Sequence, residues 1–194
     1  MTTNSRTAHA GPGDEAFVRH VLAERLAKDD YFRHSPHSPL PHERQHDFIG
    51  LSYFAPEPAY RLTGLRVERT SEEDARPFLI ETSDRQPRTA YRLGRLSFVV
   101  GRTELALTAY RIGDDTSDTL FIPFKDRTSG RETYGIGRYL DIEPEPDGTY
   151  TLDFNAAYNP FCAYSELYSC PLPPPENTLP VPIKAGERYS ETGY

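Results

Sequence analysis

The stretch from Asp153 to Asn177, DFNAAYNPFCAYSELYSCPLPPPEN, gathers unusual chemistry into one short segment. It holds a carboxylate (Asp153), three amides (Asn155, Asn159, Asn177), both cysteines of the chain (Cys162, Cys170) and three tyrosines. Carboxylates serve as general bases or metal ligands, thiolates as nucleophiles, and amides and phenols orient a bound molecule by hydrogen bonding. Upstream, PFKDRTSGRETYGIGRYLDI (residues 123–142) adds Asp126, Thr133, Tyr134, Arg138 and Tyr139. Gly135 and Gly137 there permit close backbone approach. The segment matches neither a P-loop nor a dinucleotide fingerprint, so it is either a loop lining a site or a tight turn leading into a bulged strand.

Each group also has a purely structural role open to it. Seven residues separate the two cysteines, too many for a CxxC redox motif, and no second pair exists for a zinc site. A buried thiol is the default for each, with a nucleophilic Cys162 as the alternative. The asparagines cap turns as readily as they bind ligands. The tyrosines, including Tyr158, either pave a pocket or pack half-buried with their hydroxyls in water. His34, His37, His42 and His46 fit no metal-ligand spacing and are separated by prolines, so no metal site is assigned.

These side chains must be positioned by the rest of a chain of 194 residues, enough for one domain with a substantial core. Residues 1–13 and 189–194 read as tails, the first disordered, flanking a single globular domain over 14–188. Residues 14–33 begin with acidic groups and repeat apolar residues (Phe17, Val18, Val21, Leu22, Leu26) at helical spacing. Between 58 and 155 the chain is β-rich, with short alternating runs separated by turn residues. No helix–strand alternation appears there. The expected fold is mainly β (α+β), an antiparallel sheet curled into a sandwich or partial barrel with the N-terminal helix packed on it. Residues 171–183 are rich in proline and are expected to wrap the surface in extended form.

A net charge of −7 argues against nucleic acid or an anionic membrane surface as partner. No apolar run approaches the roughly 20 residues of a membrane span. The first residues lack a hydrophobic signal region, which points to the cytoplasm.

The most specific geometric expectation concerns residues 138–155. Pro146-Asp147-Gly148 suits a three-residue hairpin loop with glycine in the left-handed position. That register would set Ile142 against Leu152 and Leu140 against Phe154 on an apolar face. On the other face it would set Asp141 against Asp153 and Tyr139 against Asn155. Two opposed aspartates repel unless a cation, a metal or a shared proton compensates, or unless solvent screens them. From the hairpin alone, a solvated outer face is the simpler reading.

Taken together, FKDRTSGRETYGIGRYLDI, LDFNAAYNPFCAY and CPLPPPENTLPVPIKAGE resemble the signature of a widespread bacterial family of unknown function. The upstream SPLPHERQHDFIGLSYF fits the same family, so the resemblance covers roughly residues 15–188. It departs at Phe161, where relatives are expected to carry proline. The resemblance implies that the family's shared residues are largely polar and lie in the C-terminal half: Asp126, Gly130, Thr133, Tyr134, Gly137, Arg138, Tyr139, Asp153, Asn155, Tyr158, Asn159, Cys162, Cys170, Asn177 and Glu187. It implies no activity or cofactor. It does turn the reading of the hairpin toward a pocket. On that reading the protein is a small-molecule enzyme or ligand-binding protein. Arg138 would anchor an anionic or carbonyl group, Asp153 would act as base or metal ligand, and Tyr134 and Tyr158 would orient the ligand. Asp126, Thr133, Tyr139, Asn155, Asn159, Cys162 and Asn177 would complete the wall. The competing reading is a hydrogen-bonded structural network or interaction surface, with the proline-rich segment docking a partner or a second copy in a homodimer. Concavity separates the two: a ligand site predicts one cleft, a network predicts mutually satisfied side chains.

Overall fold

A computed structural model describes residues 12–189. The two expected tails therefore fall outside the described residues, apart from Pro12, Gly13 and Tyr189. Helix α1 runs Pro12–His34, with Asp14 and Glu15 in its first turn and Arg33 and His34 in its last, each sign suited to the helix dipole there. Its inner stripe differs from the expected one. Val21 and Phe32 are buried, but Leu22 and Leu26 are 45% and 70% exposed, and Arg25 is buried in their place. A one-turn helix α2 (His42–Gln45) follows the prolines.

The sheet is antiparallel throughout its ladders. Strands β2 (Val67–Glu68), β4 (Arg88–Val100), β5 (Thr103–Ile112), β6 (Leu120–Phe124) and β7 (Arg138–Ile142) lie side by side, with β3 (Phe78–Ile80) also paired to β4. A separate two-stranded sheet joins β1 (Arg61–Leu65) to β8 (Tyr150–Asp153). The strands do not close into a barrel. The β4–β5 hairpin turns at Gly101, whose φ of +63° sits at the first central position of a two-residue turn. Alternation does the rest. Leu96 and Phe98, then Leu105, Leu107 and Ala109, then Leu120, Ile122 and Phe124, face one core. Phe154 sits among them, its ring 5.7 Å from Phe98 and 5.4 Å from Phe124.

The expected hairpin over 138–155 forms only at its tip. Gly148 has φ +75°, its N–H donates to Glu145 O at 2.8 Å, and Glu145 N–H donates to Thr149 O at 2.8 Å. Beyond that turn the strands part. β7 pairs with β6, from Leu120↔Ile142 to Phe124↔Arg138, while β8 pairs with β1 through Leu62↔Leu152 and Arg61↔Asp153. The free edge of β7 is taken by Tyr158, which exchanges both backbone hydrogen bonds with Tyr139. Asp141 and Asp153 are thus not opposed, nor are Tyr139 and Asn155. The apolar members Leu140, Ile142, Leu152 and Phe154 are all buried as expected. Alternation fixes which face a side chain takes, but not which strand lies beside it.

The proline-rich C-terminal segment is extended, and it does more than wrap. Leu179, Ile183 and Ala185 are inserted into the core. Its backbone pairs with Lys125, with Ala157 and with Ser52 and Phe54. At Gly186, φ is +75°, and a Cβ would stand 2.5 Å from Ala157 O and 2.7 Å from Phe154 O. Gly186→Ala is expected to cost about 2–4 kcal/mol, combining left-handed strain with a backbone clash. Urea unfolding checks this, and a variant as stable as the parent would contradict the packing described.

Candidate functional site

A cleft of about 760 Å³ lies between α1 and the second sheet. Phe17, His20, Val21, Glu24, Arg25 and Lys28 share one face of the helix at spacings of three and four, and that face forms one wall. Arg61, Glu145, Thr151 and Asp153, with Asn155 to Ala157, form the other, and Tyr53 and Glu187 close the floor.

Asp153 caps the short 3-10 turn Phe154–Ala156. One carboxylate oxygen accepts from the Asn155 N–H at 2.9 Å and from its side-chain amide at 2.8 Å. The other oxygen lies 3.6 Å from Arg61 Nε, and the side chain keeps 21% exposure toward the cleft. Asn155 also binds both the N–H and the C=O of Glu57, at 2.8 and 2.9 Å, which holds the loop before β1. Glu187, 1% exposed, pairs with Lys28 Nζ and accepts from Asn159 N–H at 2.7 Å and Tyr164 hydroxyl at 2.8 Å.

Arg25 differs from these. Its Nη1 donates to Phe54 O at 2.8 Å and its guanidinium stacks 4.4 Å from the Tyr53 ring centre. Among the described residues its Nε and Nη2 have no acceptor, and the Tyr53 hydroxyl has no partner. Burial lowers the Arg25 pKa, opposed by Tyr53, Glu187 and Asp153 nearby, and burial raises that of Tyr53.

Of the residues proposed from sequence, Asp153 and Asn155 line this cleft. Tyr139 and Tyr158 line a second hollow of about 340 Å³, with Phe121, Phe161 and Tyr168. There the Tyr158 hydroxyl donates to Asp141, the Tyr139 hydroxyl to Pro171 O, and burial raises both phenols. The remaining residues are brought together with one another rather than with either opening. Arg138 is fully buried. It pairs with Asp126 at 2.8 Å and donates to the carbonyls of Ile183, Ala185 and Glu187. It does not reach the cleft. Asp126 also accepts from Thr128 N–H, and the Thr128 and Thr133 hydroxyls bond each other at 2.9 Å. Asn177 binds both the N–H and the C=O of Thr108 at 2.8 Å, and donates to Pro123 O. Asn159 reaches Arg188 O at 3.0 Å. Tyr134 donates to Cys162 O at 3.3 Å and packs on Tyr189.

No group of three or more His, Cys, Asp or Glu side chains among the described residues could hold a metal ion. Arg25, Lys28 and Tyr53 were not singled out by sequence reasoning. The only available signal was their place on, or opposite, the inner stripe of α1, where a charged residue reads as a solvated face.

The fold and site define an antiparallel α+β protein with one helix-walled cleft and a separate buried polar network. The chain belongs to the family described as "protein of unknown function (DUF1684)", whose profile matches residues 46–188. The match begins after α1, so the whole of the helix that walls the cleft lies outside it. Among solved structures, the chain is similar to the solution NMR structure of the uncharacterized protein from gene locus rrnAC0354 of Haloarcula marismortui. The two are 40% identical over 90% of this chain and 95% of that one, with a TM-score of 0.65. No curated protein matches. No helix among the described residues is long and apolar enough to cross a membrane.

The buried Asp126–Arg138 pair yields a stability prediction. Arg138→Met leaves the Asp126 carboxylate buried without its cation and is expected to cost roughly 3–5 kcal/mol. The double variant Arg138→Met/Asp126→Leu should regain part of that loss. Denaturant titration measures both, and a single variant of parental stability would refute the pairing as a structural tie.

Proposed function

We propose that the protein binds a small polar molecule bearing an oxyanion, in the cleft between α1 and β8. The supporting observation is Arg25. It is only 9% exposed and has two guanidinium nitrogens without an acceptor, beside an equally unpartnered Tyr53 hydroxyl. Buried donors are almost always satisfied, so donors left over in a cleft wall suit a ligand that brings acceptors. The neighbouring cations are already compensated, Lys28 by Glu187 and Arg61 in part by Asp153.

A carboxylate or phosphate group fits the planar donor fork of arginine. The second oxygen of Asp153 faces the same space and suits a hydroxyl or ammonium donor on the ligand. Small hydroxy acids and amino acids meet both requirements. A volume of about 760 Å³ is ample for molecules of that size. Among the catalytic candidates, Asp153 alone has the access to take a proton from such a ligand. On this reading Arg138 and the amides act from behind, by fixing the segments that carry Glu187 and Asp153.

Calorimetric titration with a panel of hydroxy acids, amino acids and phosphate monoesters tests the proposal. At least one class should bind with one molecule per chain and raise the melting temperature. Arg25→Met, which keeps the stack on Tyr53, should weaken binding at least about tenfold, roughly 1.4 kcal/mol. Asp153→Asn should weaken only ligands that carry a donor. If no panel member binds and native mass spectrometry finds no co-purified molecule, the proposal fails.

A further inference from the structure

We propose that Cys162 and Cys170 form a peroxide-reactive thiol pair, in which Cys162 attacks a hydroperoxide and Cys170 resolves the product into an intramolecular disulfide. The pair stands apart from the α1 cleft, and the inference does not depend on the ligand proposal.

The geometry carries it. Cys162 sits half-buried in the 3-10 turn Phe161–Ala163, while Cys170 is buried seven residues further on. The intervening chain doubles back, so that the Cys162 N–H donates to Cys170 Sγ at 3.3 Å, which sets the two thiols beside each other. Cys170 is held from behind. Its N–H donates to Ser83 Oγ at 3.0 Å, its carbonyl accepts from Ser83 N–H at 2.9 Å, and Pro171 bridges to Thr82. The resolving sulfur is therefore fixed next to a partly exposed one on a short turn.

The surroundings favour charge on the exposed member. The Cys170 thiol and the Ser83 and Tyr134 side chains lie around the Cys162 thiol, with the Tyr134 hydroxyl donating to the Cys162 carbonyl. Together these outweigh burial and hold the Cys162 thiol down to about 7, while Cys170 is pushed well up by the same partnership.

The chemistry balances with hydrogen peroxide as oxidant. The Cys162 thiolate attacks one peroxide oxygen. An S–O bond forms, the O–O bond breaks, and the departing hydroxide takes up the proton Cys162 had released, giving water and a sulfenic acid. Cys170 sulfur then attacks Cys162 sulfur. The S–S bond forms, the S–O bond breaks, and the hydroxyl leaves as water with the Cys170 proton. Two thiols lose two electrons to the peroxide.

The test uses the full chain, reduced and then exposed to stoichiometric hydrogen peroxide. Peptide mapping should recover a Cys162–Cys170 linked pair, with no alkylatable thiol left and full reversal by dithiothreitol. In Cys170→Ser, dimedone should label Cys162, and Cys162 should react roughly several-fold faster than free glutathione. Cys162→Ser should lose that reactivity. Folded wild-type protein that keeps both thiols alkylatable after peroxide overturns the proposal, as does oxidation confined to Cys170. The wild-type mapping decides even if a variant fails to fold.

Discussion

The guanidinium of Arg138 is the tie on which the rest of the structure depends. It is anchored on β7, paired with Asp126 from the loop after β6, and receives the carbonyls of Ile183, Ala185 and Glu187. In an extended chain alternate carbonyls point the same way, so a single planar donor group can hold three of them in a row. Lysine, with a compact ammonium, could not span that row. Once the segment is fixed, Ile183 and Ala185 enter the core and the Glu187 carboxylate is presented to Lys28 on α1. The helix, and with it one wall of the cleft, is seated through this chain of contacts.

Three asparagines extend the same logic. Asn155 binds both backbone groups of Glu57, and Asn177 binds both backbone groups of Thr108. Each amide stands in for a neighbouring strand at a place where no strand runs. Irregular chain close to a core leaves peptide groups needing partners, and a side-chain amide offers one donor face and one acceptor face at once. Asn159 serves the next stretch with one side of its amide, donating to the Arg188 carbonyl, while its own N–H donates to the Glu187 carboxylate. A polar signature over residues 126–187 therefore has a physical explanation in backbone satisfaction. Three of its members, Asp153 and Asn155 at the lip of β8 and Glu187 at the floor, also line the α1 cleft.

How much of this could be read from the chain varied with the range of the interaction. The helix over 14–33, the strands after Pro58 and the turn at Gly101 follow from local periodicity and from residues that tolerate particular backbone angles. The burial of Leu140, Ile142, Leu152 and Phe154 was equally legible. The partner of β8 was not. A tight turn at Gly148 suggests the adjacent strand, but pairing with β1 or with β7 has the same two-residue alternation. The outward-facing Leu22 and Leu26 mislead for a related reason, since α1 docks on loops and a charged carboxylate rather than on a sheet face. Arg25 could not be recognised as buried because nothing in its neighbourhood along the chain distinguishes it from a solvated arginine.

The lateness of residues 179–187 in the order of synthesis has a consequence for how the protein comes into being. All eight strands among the described residues precede Leu179, Ile183 and Ala185 in the order of synthesis, so they are made before those residues exist to fill the core and before any carbonyl reaches Arg138. Until then the Arg138–Asp126 couple lacks its carbonyl partners and the nascent sheet keeps an uncovered apolar surface. Contacts spanning so much of the chain close slowly. The interval before closure is the one in which such surface is open to chaperones or to aggregation, so the period of vulnerability is set by the time residues 179–187 take to arrive.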